Sequence, residues 1–359
     1  MVILGIESTC DETAAALVAD GVNVISNVVA TQYELHQKFR GVVPEVASRA
    51  HIERITLVLR QALAEGQKTV EQLDAIAVAH RPGLIGSLLI GVTAAKTLAW
   101  TLGKPLIGID HVQAHLYSAC LWVEAASVGQ IHPDRMEFPA VGLVASGGHT
   151  AIYLMHSFED VVLVGKTIDD AVGEAYDKVA AVLGLPYPGG PYIDKLAAGG
   201  DPAAIDFPRS MLDKDSLDVS FSGLKTSVLY HVRGKKGIER EVSALSDTEL
   251  ADVAASFQAA CVDVLIAKLR RAIKRFGAKC VVIGGGVTAN SGLRAALPKL
   301  GLPVHMPLRQ FCTDNAAMTA GLAAVYLRSG RTSELALDAV PFSAIGSIDA
   351  GGVSDGGGA

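Results

Sequence analysis

His111 and His115 in "IDHVQAHLYSA" stand four residues apart where a helical apolar pattern begins, so both imidazoles fall on one helix face. With that spacing a helix can offer a metal two nitrogen ligands. A zinc protease also needs a glutamate directly after the first histidine as general base, and here Val112 and then Gln113 follow. Peptide hydrolysis thus lacks its catalytic group, while metal binding keeps its ligands. Asp314 in "FCTDNAAM", at another junction into a helix, could supply a third, oxygen ligand. Two imidazoles and a carboxylate suit iron or zinc, with positions left open for substrate oxygens or water. The alternative for the histidines is a non-binding surface pair.

Three glycine turns raise a second kind of chemistry. "GIESTCDET", "SGGHT" and "GGGVTAN" each follow a strand-like run and offer unhindered backbone N–H groups beside hydroxyl or carboxylate side chains, a combination that cradles phosphate. None has the GxxxxGK[ST] form, and one such turn alone is often only a turn. Three in two repeated halves imply a nucleotide between the domains. Asp11 and Glu12 in the first turn are candidate catalytic carboxylates, weighed against a solvated acidic pair. Asp169 and Asp170 read as caps at a helix entrance. Asp177, ahead of the rigid "YPGG", is placed to accept hydrogen bonds from ribose or substrate hydroxyls, with Gly190 allowing close backbone approach.

The elements that must position these residues follow an α/β pattern. "VILGIES", "TAAALVAD" and "NVISNVVA" form a three-stranded meander, followed by a helix in "VPEVASRAHIERITLVLRQALAEG", a strand in "LDAIAVA", a helix in "LLIGVTAAKTLAWTLG" and a strand in "PLIGI". Asp110 is the N-cap of the histidine helix. A second meander begins at "AVGLVASGGHT", which predicts two diverged copies of one unit: 1–125, and 137–342 with a helical insertion at 186–248. The Gly/Ser-rich run 343–359 reads as a disordered tail.

Composition narrows the class. The chain has 359 residues, 50% of them hydrophobic, so it folds with a substantial core. A net charge of −6 announces no general nucleic-acid binder, and any RNA contact must be local or shared with partners. Five scattered cysteines without CxxC spacing read as reduced thiols. With no signal segment and no long uninterrupted apolar run, the expectation is a cytoplasmic enzyme that does not engage a membrane.

Taken together, "GIESTCDETAAALV", "GVVPEVASRAHIE", "PGLIGSLLIGVTAAKTLA", "HVQAHLYSA", "SGGHT", "IDDAVGEAYDKVAAVLGLPYPGGP", "SFSGLKT", "GGGVTANSGLR" and "CTDNAAM" resemble the bacterial tRNA N6-adenosine threonylcarbamoyltransferase family, TsaD. The resemblance implies duplicated domains like those of actin, heat-shock chaperones and sugar kinases (ribonuclease H-like), with a central interdomain cleft. It implies transfer of threonylcarbamoyl from threonylcarbamoyl-adenylate to N6 of the adenosine beside the anticodon in tRNAs reading codons that begin with A, giving t6A and AMP. Carried over, the metal ligands are His111, His115 and Asp314, for Fe2+ or alternatively Zn2+. The adenylate positions are Val144, Ala145, Ser146, Gly147, Gly148, Asp177, Gly190, Asp194 and Asn290. The implied partners are tRNA, the paralogue TsaB, the ATPase TsaE and the adenylate-forming TsaC, with ATP or Mg2+ in the complex.

The sequence departs from the family pattern at His80 and Arg81, where small residues are usual, at Asp110 in place of Asn, and at Arg40 in place of Gly. Arg81 is read as reaching either a phosphate or solvent. Rival readings are a kinase of the same fold, which has no need of the two histidines, and a nucleotide-driven switch without transferase chemistry.

Overall fold

The computed structural model describes residues 1–39, 41–123, 131–210, 215–234, 242 and 245–347. The chain divides into two compact units. The first comprises 1–136, 156–161 and 305–345, and the second comprises 137–155, 162–304 and 346–359.

The first unit is built on a sheet in the order β3-β2-β1-β4-β5. Its strands are β1 (Val2–Glu7), β2 (Glu12–Ala19), β3 (Asn23–Thr31), β4 (Ala75–Arg81) and β5 (Leu106–Asp110). β1 runs antiparallel to β2 and parallel to β4. The central strands are apolar at nearly every position because both faces are covered, whereas edge strand β3 alternates, burying Val24, Ser26 and Val28. Helices α1 (Tyr33–Gln37), α2 (Pro44–Glu65), α3 (Ile85–Leu102) and α4 (His111–Tyr117) follow their strands. α2 and α3 close one core through Ile55, Val58, Leu88 and Val92 against Leu4, Ile6, Ile76 and Val78.

The second unit repeats that strand order as β8-β7-β6-β9-β10. Its strands are β6 (Ala140–Ala145), β7 (Thr150–Met155), β8 (Val161–Lys166), β9 (Cys280–Gly284) and the short β10 (Val304–His305). β6 is antiparallel to β7 and parallel to β9, as β1 is to β2 and β4. Its helices are α5 (Val172–Val182), α6 (Gly189–Ala197), α7 (Ser222–Arg233), α8 (Asp247–Phe276) and α9 (Ser291–Ala296). α8 starts on a Ser246/Glu249 capping box and stops where Gly277 turns left-handed at φ 61°. α3 and α8 are each long and apolar enough to cross a membrane by composition, but the α8 window is 67% buried, as a core helix is.

The last helix, α10 (Ala316–Arg328), corrects the expected division at 137–342. It packs on β1, β2 and β4 of the first unit, so Asp314 shares a unit with the two histidines. Periodicity marks a helix and its apolar face but does not say which sheet receives it. The contact needs Gly5, where a Cβ would collide with the Ala316 carbonyl and lie 2.9 Å from Ala320 Cβ. The supposed tail is also corrected at its start: Ser343 Oγ donates to Asp110 Oδ2 at 2.7 Å, and Leu163 N donates to Gly346 O at 2.9 Å. The rest of that segment, 348–359, lies outside the described residues.

Gly5→Ala is expected to cost about 1–3 kcal/mol by overpacking this contact. The denaturant midpoint should fall with little change in slope; an unmoved midpoint would mean that α10 yields freely.

Candidate metal centre and nucleotide loops

The histidine helix begins where sequence reasoning puts it, because Asp110 Oδ1 accepts from Val112 N at 3.0 Å and Gln113 N at 3.4 Å. α4 has seven residues, all buried. The His111 and His115 rings meet edge to face with centroids 4.6 Å apart. His115 Nε2 lies 3.1 Å and His111 Nε2 3.5 Å from the same Asp314 oxygen. Asn315 fixes that carboxylate's backbone, accepting from Met318 N at 3.1 Å and donating to Thr313 O at 2.8 Å.

The three ligand atoms lie within 4.8 Å of one another. Two ring nitrogens and one carboxylate oxygen facing a common point are a donor set suited to a divalent transition metal. Burial opposes charge on His111, but Glu7 and Asp314 on either side raise its pKa well above the usual histidine value. Burial and the neighbouring His111 charge lower that of His115. Burial works against the Asp314 carboxylate too, yet the two imidazoles hold its pKa well below normal.

Asp11 and Glu12 are not the solvated pair weighed above; both are buried. Burial, Asp314 and Asp11 push the Glu12 carboxyl well above its usual range, although a hydrogen bond with the Tyr33 phenol opposes the shift. A carboxyl whose charged form is disfavoured therefore stands beside the metal cluster. His51 braces this turn, donating from Nε2 to Cys10 O at 3.1 Å while Nδ1 accepts from Thr13 Oγ1 at 2.8 Å. Burial keeps its ring neutral.

The other candidates gather in the second unit at the carboxyl ends of parallel β6 and β9, where α/β sheets commonly bind ligands. Val144 and Ala145 end β6, and Ser146 N donates to His149 O at 2.7 Å to close the turn. A Cβ at Gly147 or Gly148 would meet nothing within 4 Å. Gly285, with φ 91°, adopts a backbone that suits glycine, and a Cβ there would strike Ala145 O. Asp177 Oδ1 on α5 accepts from Gly189 N at 2.7 Å, fixing the start of α6, while Gly190 opens onto free space. Asp194 Oδ1 accepts from Asn290 Nδ2 at 3.1 Å and Ser291 Oγ at 2.7 Å. Asn290 caps α9 and donates to Gln258 Oε1 at 2.7 Å.

Three local readings change. Asp169 does not cap α5, whose N-cap is Ala171; it accepts from Ser220 Oγ at 2.5 Å, Ser222 Oγ at 2.6 Å and Phe221 N at 2.9 Å, anchoring "SFSGLKT". Asp170 is held between Lys178 at 2.6 Å and Lys225 at 2.7 Å. Arg81, partly exposed, has a protein partner that the sequence did not suggest: its Nε lies 3.5 Å from Asp110 Oδ2, which pairs two of the departures from the family pattern. Arg40 lies outside the described residues. Glu7 and Tyr33 join the site without having stood out in the sequence. The signal for Glu7 is a carboxylate ending a buried strand.

Residues 23–321 match the sequence profile of the family TsaD, tRNA N6-adenosine threonylcarbamoyltransferase. The chain is 48% identical over 344 residues to the tRNA N6-adenosine threonylcarbamoyltransferase of Moorella thermoacetica, spanning 94% of this chain and 96% of that one. It is 48% identical over 348 residues to the Symbiobacterium thermophilum protein of the same name, spanning 96% and 97%. Among solved structures, HypF of T. kodakarensis is similar with a TM-score of 0.58 at 15% identity, covering 93% of this chain and 48% of that one. Component A of the (R)-2-hydroxyglutaryl-CoA dehydratase of Acidaminococcus fermentans has a TM-score of 0.51 at 16% identity, covering 92% and 100%. At those identities the likeness is one of fold.

A metal ligand must shed its proton, and the raised His111 pKa favours the protonated ring in the metal-free protein. Zinc binding should therefore release protons, and affinity should weaken as pH falls below that raised value. Calorimetry in buffers of different ionisation enthalpy reads the release; a heat independent of buffer would contradict it.

Proposed function

The chain belongs to the tRNA N6-adenosine threonylcarbamoyltransferase family, whose enzymes form t6A on tRNA, and from that premise we propose how its residues divide the work. It is a transferase that places a threonylcarbamoyl group on N6 of a tRNA adenosine. The observation that carries the rest of the reading is the convergence of His111, His115 and Asp314 beside the buried Glu12.

His111, His115 and Asp314 hold one divalent ion, Fe2+ in the first instance with Zn2+ as the alternative. When bound, it supplies Lewis-acid polarisation and orientation of donor phosphate or carboxylate oxygens. The donor is threonylcarbamoyl-adenylate. Its adenylate half belongs to the second unit, along 144–148, where Gly147 and Gly148 offer backbone N–H groups to phosphate. Asp177, Gly190, Asp194 and Asn290 shape the nucleoside pocket. Glu12, whose burial favours its neutral form, is the candidate hydrogen-bond donor, and Asp11 the candidate to take the N6 proton as the N–C bond forms and AMP departs. Most of the rate gain is positional and electrostatic, since no nucleophilic residue is needed.

The acceptor is the adenosine beside the anticodon of tRNAs that read codons beginning with A. A net charge of −6 fits a tRNA surface shared with TsaB and TsaE, with ATP or Mg2+ in that complex and TsaC making the adenylate. Reduced cysteines, with no disulfide among the described residues, accord with a cytoplasmic setting. The matching strand orders of the two sheets support descent from one duplicated unit.

Incubation with the partner proteins, threonylcarbamoyl-adenylate and unmodified tRNA should yield t6A by mass spectrometry of the digested RNA. His111→Ala and Asp314→Ala should lose metal and lower transfer by several kcal/mol, roughly a thousandfold. Transfer retained without metal would sink the catalytic metal. Gly148→Val has a different expected signature: because a side chain there meets no protein atom, stability and zinc affinity should hold while the KM for the adenylate rises.

A further inference from the structure

Glu7 ends β1 with no exposed surface, and both of its carboxylate oxygens are engaged. Oε1 accepts from Thr9 N at 2.8 Å, and Oε2 lies 3.0 Å from His111 Nδ1. Thr9 Oγ1 is 3.3 Å from the same ring nitrogen. The opposite nitrogen of His111, Nε2, faces Asp314. The second imidazole lacks such support among the described residues, where His115 Nδ1 is buried with no hydrogen-bond partner.

A neutral imidazole carries one N–H, and an ionised carboxylate can only accept. A carboxylate against Nδ1 therefore places the proton there and leaves the Nε2 lone pair free to ligate. We propose that Glu7 is a positioning residue for the metal centre: it selects the Nδ1–H tautomer of His111, fixes the ring's orientation and makes His111 the better organised of the two nitrogen ligands. The inference rests on the metal reading given above.

Glutamine at position 7 is nearly isosteric but reverses the logic. Thr9 N–H requires an acceptor, so the amide oxygen would turn toward Thr9 and the NH2 group toward His111 Nδ1. That nitrogen would then have to accept, moving the ring proton to Nε2 where the metal should bind. Glu7→Gln is thus expected to bind zinc about 10- to 100-fold more weakly than the wild type.

The test titrates metal-free wild-type and Glu7→Gln protein with zinc against a chromophoric chelator. Equal affinity in the two proteins would overturn the role of Glu7. A wild type that binds no zinc would instead remove the metal reading itself, and this proposal with it. Should the variant fail to fold, nitrogen-15 spectra of histidine-labelled, zinc-loaded wild type decide. The proposal requires a proton on His111 Nδ1 and zinc on Nε2, and the reverse arrangement refutes it.

Discussion

The first unit is organised around a contact between residues 199 positions apart: one buried carboxylate oxygen of Asp314 facing the ring nitrogens of His115 and His111. Taking those groups out of water is costly unless each meets its partner, and removing one partner from such a cluster costs about 3–5 kcal/mol. The cost makes the geometry demanding. α10 must cross β1 at close range, which requires a residue without a side chain at Gly5, and the chain must return to the first sheet after completing most of the second. Asp110 must start α4 at His111, because starting it one residue later would rotate both imidazoles away from the carboxylate.

The same contact sets the electrostatics of its surroundings. The two imidazoles favour the negative charge of Asp314, and that charge helps raise the Glu12 pKa. The pKa values of two acids in one small volume are thus pushed in opposite directions by their partners. The second unit works by different means. Its carboxylates Asp177 and Asp194 accept hydrogen bonds at the starts of α6 and α9, and the glycine turn at 147–148 faces open space.

Much of this is legible in the sequence because it is local. Helix spacing places the two histidines on one face, Asp110 before an apolar helical run marks its N-cap, and the repeated meander anticipates two sheets of the same strand order. What is not legible depends on distant partners. Asp169 and Asp170 look like caps until residues more than fifty positions on supply Ser220, Ser222 and Lys225. Glu7 looks like the polar end of a strand until His111 arrives 104 residues later. Likewise the 343–347 run has the composition of a loose tail, and composition does not record that Ser343 finds a buried carboxylate.

That last contact has a practical side. Asp110 has two oxygens with separate tasks: one starts the helix that bears the histidines, and the other receives Ser343 from the C-terminal stretch. The 343–347 stretch is therefore tied by a single side chain to the first turn of α4. Trimming the chain or fusing a tag near residue 343 reaches a centre more than two hundred residues upstream, because the choice of end point decides whether Asp110 Oδ2 keeps Ser343 beside Arg81.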